Sequence, residues 1–164
     1  MRKNTDTILG IDPGLREMGY AVIKQNALVA HGVIPLRNVP PSLRLKEARK
    51  ALDRWLTSYR PTIIALEATH AHPTGTFQKV HKLARALTTS ARRHRRRVVT
   101  YAPQTVRKHL VGDGRAPKLA VALAVSDTFP ILRIYLTQDR RWKERYFQNM
   151  FDAVALALYH RDAR

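Results

Sequence analysis

The chain contains no cysteine, which excludes disulfides, zinc–thiolate sites and thiol nucleophiles together and is compatible with a reducing, intracellular setting. Acids are scarce: 12 Asp plus Glu stand against 30 Lys plus Arg, a formal net charge of +18. No apolar run approaches the ~20 residues of a membrane-spanning helix. The apolar stretch after the basic Met1-Arg2-Lys3 is broken by Asp12-Pro13-Gly14, so it cannot serve as a signal-peptide core, and nothing marks export. Internal repeats and low-complexity tracts are also missing.

The charge imbalance exceeds what solubility requires, and a polyanionic partner, nucleic acid above all, accounts for it best. If about 6–10 of the cations meet phosphates, affinity should fall roughly 10³–10⁵-fold between 50 and 200 mM salt through lost counterion release. An anionic membrane surface ranks well below, because the basic residues are spread along the chain. With 164 residues, 45% of them apolar, the chain can bury one sizeable core, and residues 1–164 are expected to form a single domain.

Against so few acids, three stand out: Asp12 in Ile8-Leu9-Gly10-Ile11-Asp12-Pro13-Gly14, Glu67 ending Thr62-Ile63-Ile64-Ala65-Leu66-Glu67, and Asp152 in Asn149-Met150-Phe151-Asp152-Ala153. Carboxylates on apolar strands are poorly placed for solubility. Brought within a few ångströms of one another, they either raise each other's pKa or recruit a cation. Hard all-oxygen ligation points to Mg²⁺, with Mn²⁺ able to substitute. Two such ions, about 3.5–4 Å apart, would activate water and stabilise the leaving oxygen of a phosphodiester. Phosphodiester hydrolysis is the chemistry this pattern suits.

Residues Thr7 to Asp12, Gly19 to Lys24 and Ala27 to Ile34 read as an antiparallel meander punctuated by Pro13-Gly14 and Gln25-Asn26. Pro40-Pro41-Ser42 opens a helix to about Ser58 with Leu43, Ala48, Ala51, Leu52, Trp55 and Leu56 as its apolar stripe, ended by Arg60-Pro61. Thr62 to Leu66 is a central strand with Glu67 at its carboxyl end, the edge where active residues of open α/β sheets gather. A helix from Phe77 to Arg95, a strand from Val98 to Tyr101, and helices over Pro103–Val111 and Pro117–Thr128 follow. The segment between Phe129 and Phe147 reads as a loop or an insertion. The last helix is expected to begin near Asn149, with Asn149 and Asp152 on one face of its first turn.

Carboxylates on a first strand, a fourth strand and a terminal helix make up the ribonuclease H-like arrangement, an α/β fold with a central mixed five-stranded sheet flanked by helices. At the residue level the chain resembles the RuvC-type Holliday junction resolvases. The motifs are Gly10-Ile11-Asp12-Pro13-Gly14 followed by Gly19-Tyr20, Ile64-Ala65-Leu66-Glu67, Ala102-Pro103-Gln104-Thr105-Val106-Arg107, Gly112-Asp113-Gly114-Arg115-Ala116-Pro117-Lys118, and Asp152-Ala153-Val154-Ala155-Leu156-Ala157. The resemblance implies a homodimer that binds branched DNA, a four-way junction, and nicks two opposed strands with Mg²⁺, leaving 5′-phosphate and 3′-hydroxyl ends. It also implies a branch-migration helicase as a partner and a cytoplasmic setting, in a bacterial or phage-infected cell.

Carried over position by position, Asp12, Glu67 and Asp152 are metal-binding carboxylates, with Asp12 bridging two ions, and Lys118 matches a lysine near the scissile strand. Arg107 stands where the family commonly has a lysine and would bind phosphate. Asn149 replaces a fourth carboxylate or a histidine; its amide oxygen can ligate a hard cation but cannot act as a base. The aromatic residues that many members place after the glutamate are replaced by Ala68-Thr69-His70-Ala71-His72, so His72 or Phe77 is the candidate for stacking on bases. Lys79, Lys82, Lys108 and Arg115 complete the expected DNA contacts.

Taken one at a time these residues have plainer explanations. Asp-Pro-Gly is commonly an ordinary turn, Glu67 could be a strand-end ion-pair partner, and Asp152 could favour a helix N-terminus through the dipole. His70, His72 and His81 lack a fourth ligand for zinc. Gly112-Asp113-Gly114 lacks the pattern of a nucleotide-binding loop and reads as a turn that places Lys118. The run Arg92-Arg93-His94-Arg95-Arg96-Arg97 is a solvated helix end or a DNA-backbone contact. The stripe Val80, Leu83, Ala84 and Leu87 is core or dimer contact. Two rival functions stand beside junction cleavage: an RNA-processing nuclease of the YqgF type, and a non-catalytic junction-binding protein.

Overall fold

The structure, a computed structural model, describes residues 6–70, 74–136 and 141–163. Strands β1 (Thr7–Asp12), β2 (Glu17–Lys24) and β3 (Ala27–Pro35) form the antiparallel meander, and β4 (Ile63–Glu67) and β5 (Arg97–Tyr101) join it in parallel, giving the order β3-β2-β1-β4-β5. Helices α1 (Pro41–Tyr59), α2 (Gly75–Arg93), α3 (Pro103–Val111), α4 (Lys118–Thr128) and α5 (Arg141–Asp162) surround it, with a 3₁₀ turn at Pro130–Tyr135. This is the mixed five-stranded sheet flanked by helices that the sequence predicts.

Side chains alternate across a strand, so each central strand feeds two apolar layers. Ile8, Ala21, Ile23 and Ala65 meet Val121, Val125, Met150 and Val154 of α4 and α5. Leu9, Ile11, Val22, Ile64 and Leu66 meet Leu52, Trp55 and Leu56 of α1 and Leu83 and Leu87 of α2. Local chemistry sets the joints. Gln25 takes a left-handed φ of 56° in the β2–β3 turn, and Arg60 at 48° caps α1 just before Pro61, which cannot continue a helix.

At Gly10 and Gly19, helix α5 lies on the sheet closely enough to exclude a side chain. A Cβ at Gly19 would stand 1.8 Å from the carbonyl oxygen of Asn149, and one at Gly10 would stand 2.1 Å from that of Ala153. Small residues on both partners, Gly10 and Gly19 below and Ala153 and Ala157 above, therefore set the depth of the helix.

Several expectations are corrected. The last helix begins at Arg141, not near Asn149, so Asp152 lies well inside it and owes nothing to the positive end of a helix dipole. Of the segment from 129 to 147 read as a loop or an insertion, the described residues form the 3₁₀ turn at Pro130–Tyr135 and the opening turns of α5, while 137–140 lie outside the described residues. Helix α2 spans Gly75–Arg93 rather than Phe77 to Arg95; Arg95, with φ 56°, lies past its end. Leu43 is exposed and drops out of the apolar stripe of α1, whose buried residues begin at Ala48. Leu83, Ala84 and Leu87 are buried in the chain's own core.

Candidate active site

Strands β1 and β4 run parallel with Ile8 opposite Ile63 and Ile11 opposite Leu66. One further step in that register sets Asp12 beside Glu67 on strands about 4.8 Å apart. Asp12 shares parity with Ile8 and Gly10, and Glu67 with Ile63 and Ala65, so both carboxylates point to the α5 side. Because the two glycines let α5 settle on that face, Asp152 reaches the same edge. The strand register and helix depth together assemble three of the chain's 12 acids.

Their electrostatics reflect that crowding. Asp12 is 9% exposed, and its pKa is raised well above the ordinary aspartate value, first by burial and then by Glu67 and Asp152, with Lys118 opposing. Glu67 is raised by burial and by Asp152, against Lys118 and Arg107. The Nζ of Lys118 donates to Oδ2 of Asp152 at 3.2 Å, and Nε2 of Gln148 donates to Oδ1 at 3.2 Å. Among the described residues no three carboxylate, histidine or cysteine side chains are drawn together tightly enough to hold an ion as they stand. Both oxygens of Asp152 are held by the ammonium and the amide, which ligation would displace. The donor set itself fits a hard divalent cation: three carboxylates, two with raised pKa values, outnumber the neighbouring Lys118 and Arg107 and leave the ionised site net negative.

The basic residues arrive by a short connection. Gly112 ends α3 with a left-handed φ of 86°, Oδ1 of Asp113 accepts the Arg115 N–H at 2.8 Å, and Pro117 opens α4 with Lys118 as its first residue. This turn delivers Lys118 to Asp152. Arg107 on α3 joins Glu67 and Asp152 around a narrow recess. A cavity of about 480 Å³ opens beside Lys118 between α4 and α5, bordered by Gln148, Asn149, Tyr135 and Phe151.

Of the remaining predicted residues, Asn149 donates its side-chain amide to the carbonyl of Glu17, tying α5 to the start of β2 and leaving its amide oxygen as the atom available to a cation. Lys108 and Arg115 border a shallow depression on the α3–α4 connection. Phe77, 72% exposed, and the exposed Lys79 and Lys82 lie on the first turns of α2. His72 lies outside the described residues. His81 is engaged with Thr69, whose Oγ1 is 2.9 Å from its Nδ1. Gln148 is the site residue the sequence reading misses. Its signal is the i, i+4 relation to Asp152, visible only once the helix is known to begin before Asn149.

A family model described as crossover junction endodeoxyribonuclease RuvC matches residues 8–160, a span that takes in all three carboxylates, Arg107 and Lys118. The chain belongs to the RuvC family. A RuvC of Maricaulis maris is 35% identical over 160 residues, covering 93% of this chain and 89% of that one. A RuvC of Alkaliphilus metalliredigens is 29% identical over 159 residues, covering 93% and 91%. Among solved structures, Thermus thermophilus RuvC in complex with a Holliday junction substrate is 25% identical and superimposes with a TM-score of 0.76 over 94% of this chain and 92% of that one. RuvC membership accounts for the order of the motifs, and the three acids at one sheet edge are what that order produces in space.

Proposed function

We propose that the protein is a Mg²⁺-dependent endodeoxyribonuclease that resolves four-way DNA junctions by paired nicking, with Asp12, Glu67 and Asp152 holding two divalent cations. The observation that carries this is the convergence of those three acids at the carboxyl edge of the sheet, within a chain that belongs to the RuvC family. The ions, when bound, supply an activated water and neutralise the charge on the leaving oxygen.

The chain's own residues do the rest. Asp12, the most buried of the three acids, anchors the centre. Glu67, one strand over, and Asp152, from the helix, close its two sides, with Asn149 offering an amide oxygen beyond. Lys118, half exposed, exchanges Asp152 for a phosphate oxygen of the scissile strand, and Arg107 holds a neighbouring phosphate in a planar two-point grip. The exposed Phe77 stacks on an unpaired base near the crossover. Paired nicking needs two sites related by a two-fold axis, so the working species is a homodimer matching a two-fold junction. A branch-migration helicase is the partner that would supply mobile junctions.

The deciding experiment is cleavage of a labelled mobile junction beside linear duplex and structured RNA, in Mg²⁺ and in EDTA. Symmetric nicking of the junction alone, lost in EDTA, is expected. Cleavage confined to RNA would give the site to RNA maturation, and tight junction binding without nicking in Mg²⁺ or Mn²⁺ would make this a binding protein.

A further inference from the structure

One strongly basic surface takes no part in the site described so far. Helix α2 runs from the catalytic edge back across the sheet and ends where β5, an outer strand, begins. Between them lies a groove with Glu67 and Thr69 at one end, Arg85 and Thr88 on the helical wall, Thr100 on β5, and Arg92 at the far end. Past Arg92 the chain continues Arg93-His94-Arg95-Arg96-Arg97. Arg97 pairs with Ile63 and Tyr101 with Glu67, which puts the arginines about 13 Å along the strand from the catalytic edge.

The helix dipole accounts for only part of this cluster. Arg92 and Arg93 sit in the last turn of α2, where the dipole favours cations, but its effect fades within that turn. Arg95, in a left-handed conformation, and Arg97, on β5, lie past it. Among the described residues none of Arg92, Arg93, Arg95 and Arg97 forms an ion pair, and the nearby acid Asp53 faces His94 at 3.5 Å. Uncompensated like charges destabilise a fold unless a polyanion meets them.

We propose that this groove and the arginines at its end bind the phosphodiester backbone of one DNA arm as it leaves the catalytic edge. The proposal rests on the junction-nuclease reading and adds a second, distal anchor to it. At one phosphate per ~3.4 Å of each strand, a 13 Å track follows about four phosphates. Guanidiniums suit it because each can grip phosphate oxygens at two points.

The test measures dissociation constants by fluorescence anisotropy in EDTA, between 50 and 200 mM salt, for junctions and for linear duplexes with long and short arms. Wild type is compared with an Arg92→Gln, Arg93→Gln, Arg97→Gln triple variant and with the matching lysine triple. These side chains are exposed, and equal melting curves check the fold. Wild type should prefer long arms by about tenfold. The glutamine triple should lose that preference, and its log–log salt slope should shrink by about 0.9 for each phosphate no longer neutralised, close to three units in all. The lysine triple should recover most of the slope.

An unchanged slope and arm preference in the glutamine triple would overturn the proposal. So would loss of binding to anionic phospholipid vesicles or polyglutamate with DNA binding intact. A wild-type chain that does not distinguish junction from duplex would instead sink the junction reading, and the duplex-length series would still decide the arm contact.

Discussion

The two faces of the sheet are packed by different means. On the α1 and α2 side, bulk fills the space: Trp55 stacks on Tyr20 with ring centroids 4.6 Å apart, among Leu52, Leu56, Leu83 and Leu87. On the α5 side, Ile8, Ile23, Met150 and Val154 also fill space, but at Gly10 and Gly19, under Ala153 and Ala157, the absence of bulk decides how close the helix comes. A face packed by large side chains holds its helices at arm's length, which suits a core. A contact of glycine with alanine brings backbone against backbone, and only there does a helix-borne carboxylate come level with carboxylates on strands. The chemistry therefore belongs to the face where glycines let the helix approach, while both faces carry buried apolar cores.

That division predicts its own largest break. Asp152→Asn leaves helix packing intact but removes one of three anionic ligands, so nicking of a junction should fall about 10³–10⁴-fold, several kcal/mol of transition-state stabilisation. Melting in EDTA should barely change, and a loss of stability comparable to that of a core truncation would contradict the division. On the α1 and α2 side, Trp55→Ala removes a ring that is 5% exposed and should cost about 3–5 kcal/mol in denaturant unfolding. The molecules that remain folded should nick at close to the wild-type rate per active site.

Gly19→Ala sharpens the contrast by damaging both properties at once. A methyl group meeting the Asn149 backbone must lift α5, costing about 1–3 kcal/mol of stability and, because Asp152 moves with the helix, the nicking rate as well. A stability loss with full activity in the folded fraction would mean that Asp152 is positioned by something other than helix depth.

How much of this was visible in sequence differs between the faces too. Strand parity and turn chemistry made β1 and β4 legible, because apolar runs ended by Pro13-Gly14 or closed by Glu67 leave few alternatives, and Asp12 and Glu67 followed from them. The start of α5 was not legible. The stretch Arg140-Arg141-Trp142-Lys143-Glu144-Arg145 offers no apolar stripe, while Asn149 resembles an N-cap. The error carried over to the site: with the helix begun too late, Gln148 fell outside it, and its hydrogen bond to Asp152 could not be anticipated. Helix depth was equally hidden, since the close approach of Gly19 to Asn149 spans distant parts of the chain.

The smallest effect concerns the charge that the α5 side carries when no cation is bound. Asp12 is raised above its ordinary pKa in the folded chain, so between the unfolded and folded values the native state keeps a proton that the unfolded state has lost. Stability conferred by the protonated form is present at low pH and falls as pH rises through that window; above the folded value the ionised acid remains a burden. Asp12→Asn abolishes the titration and relieves Glu67 of a neighbouring charge. In EDTA the variant should therefore melt higher than wild type near pH 7, with the gap closing towards pH 4. Saturating Mg²⁺ should reverse the order, because binding to the native state alone adds about 2.7 kcal/mol at a hundred times its dissociation constant and the variant has lost a central ligand. A variant that melts below wild type at neutral pH in EDTA would show that Asp12 stabilises the α5 side through its own hydrogen bonding, and the reading of its buried charge as a local loss of stability kept for chemistry would have to be abandoned.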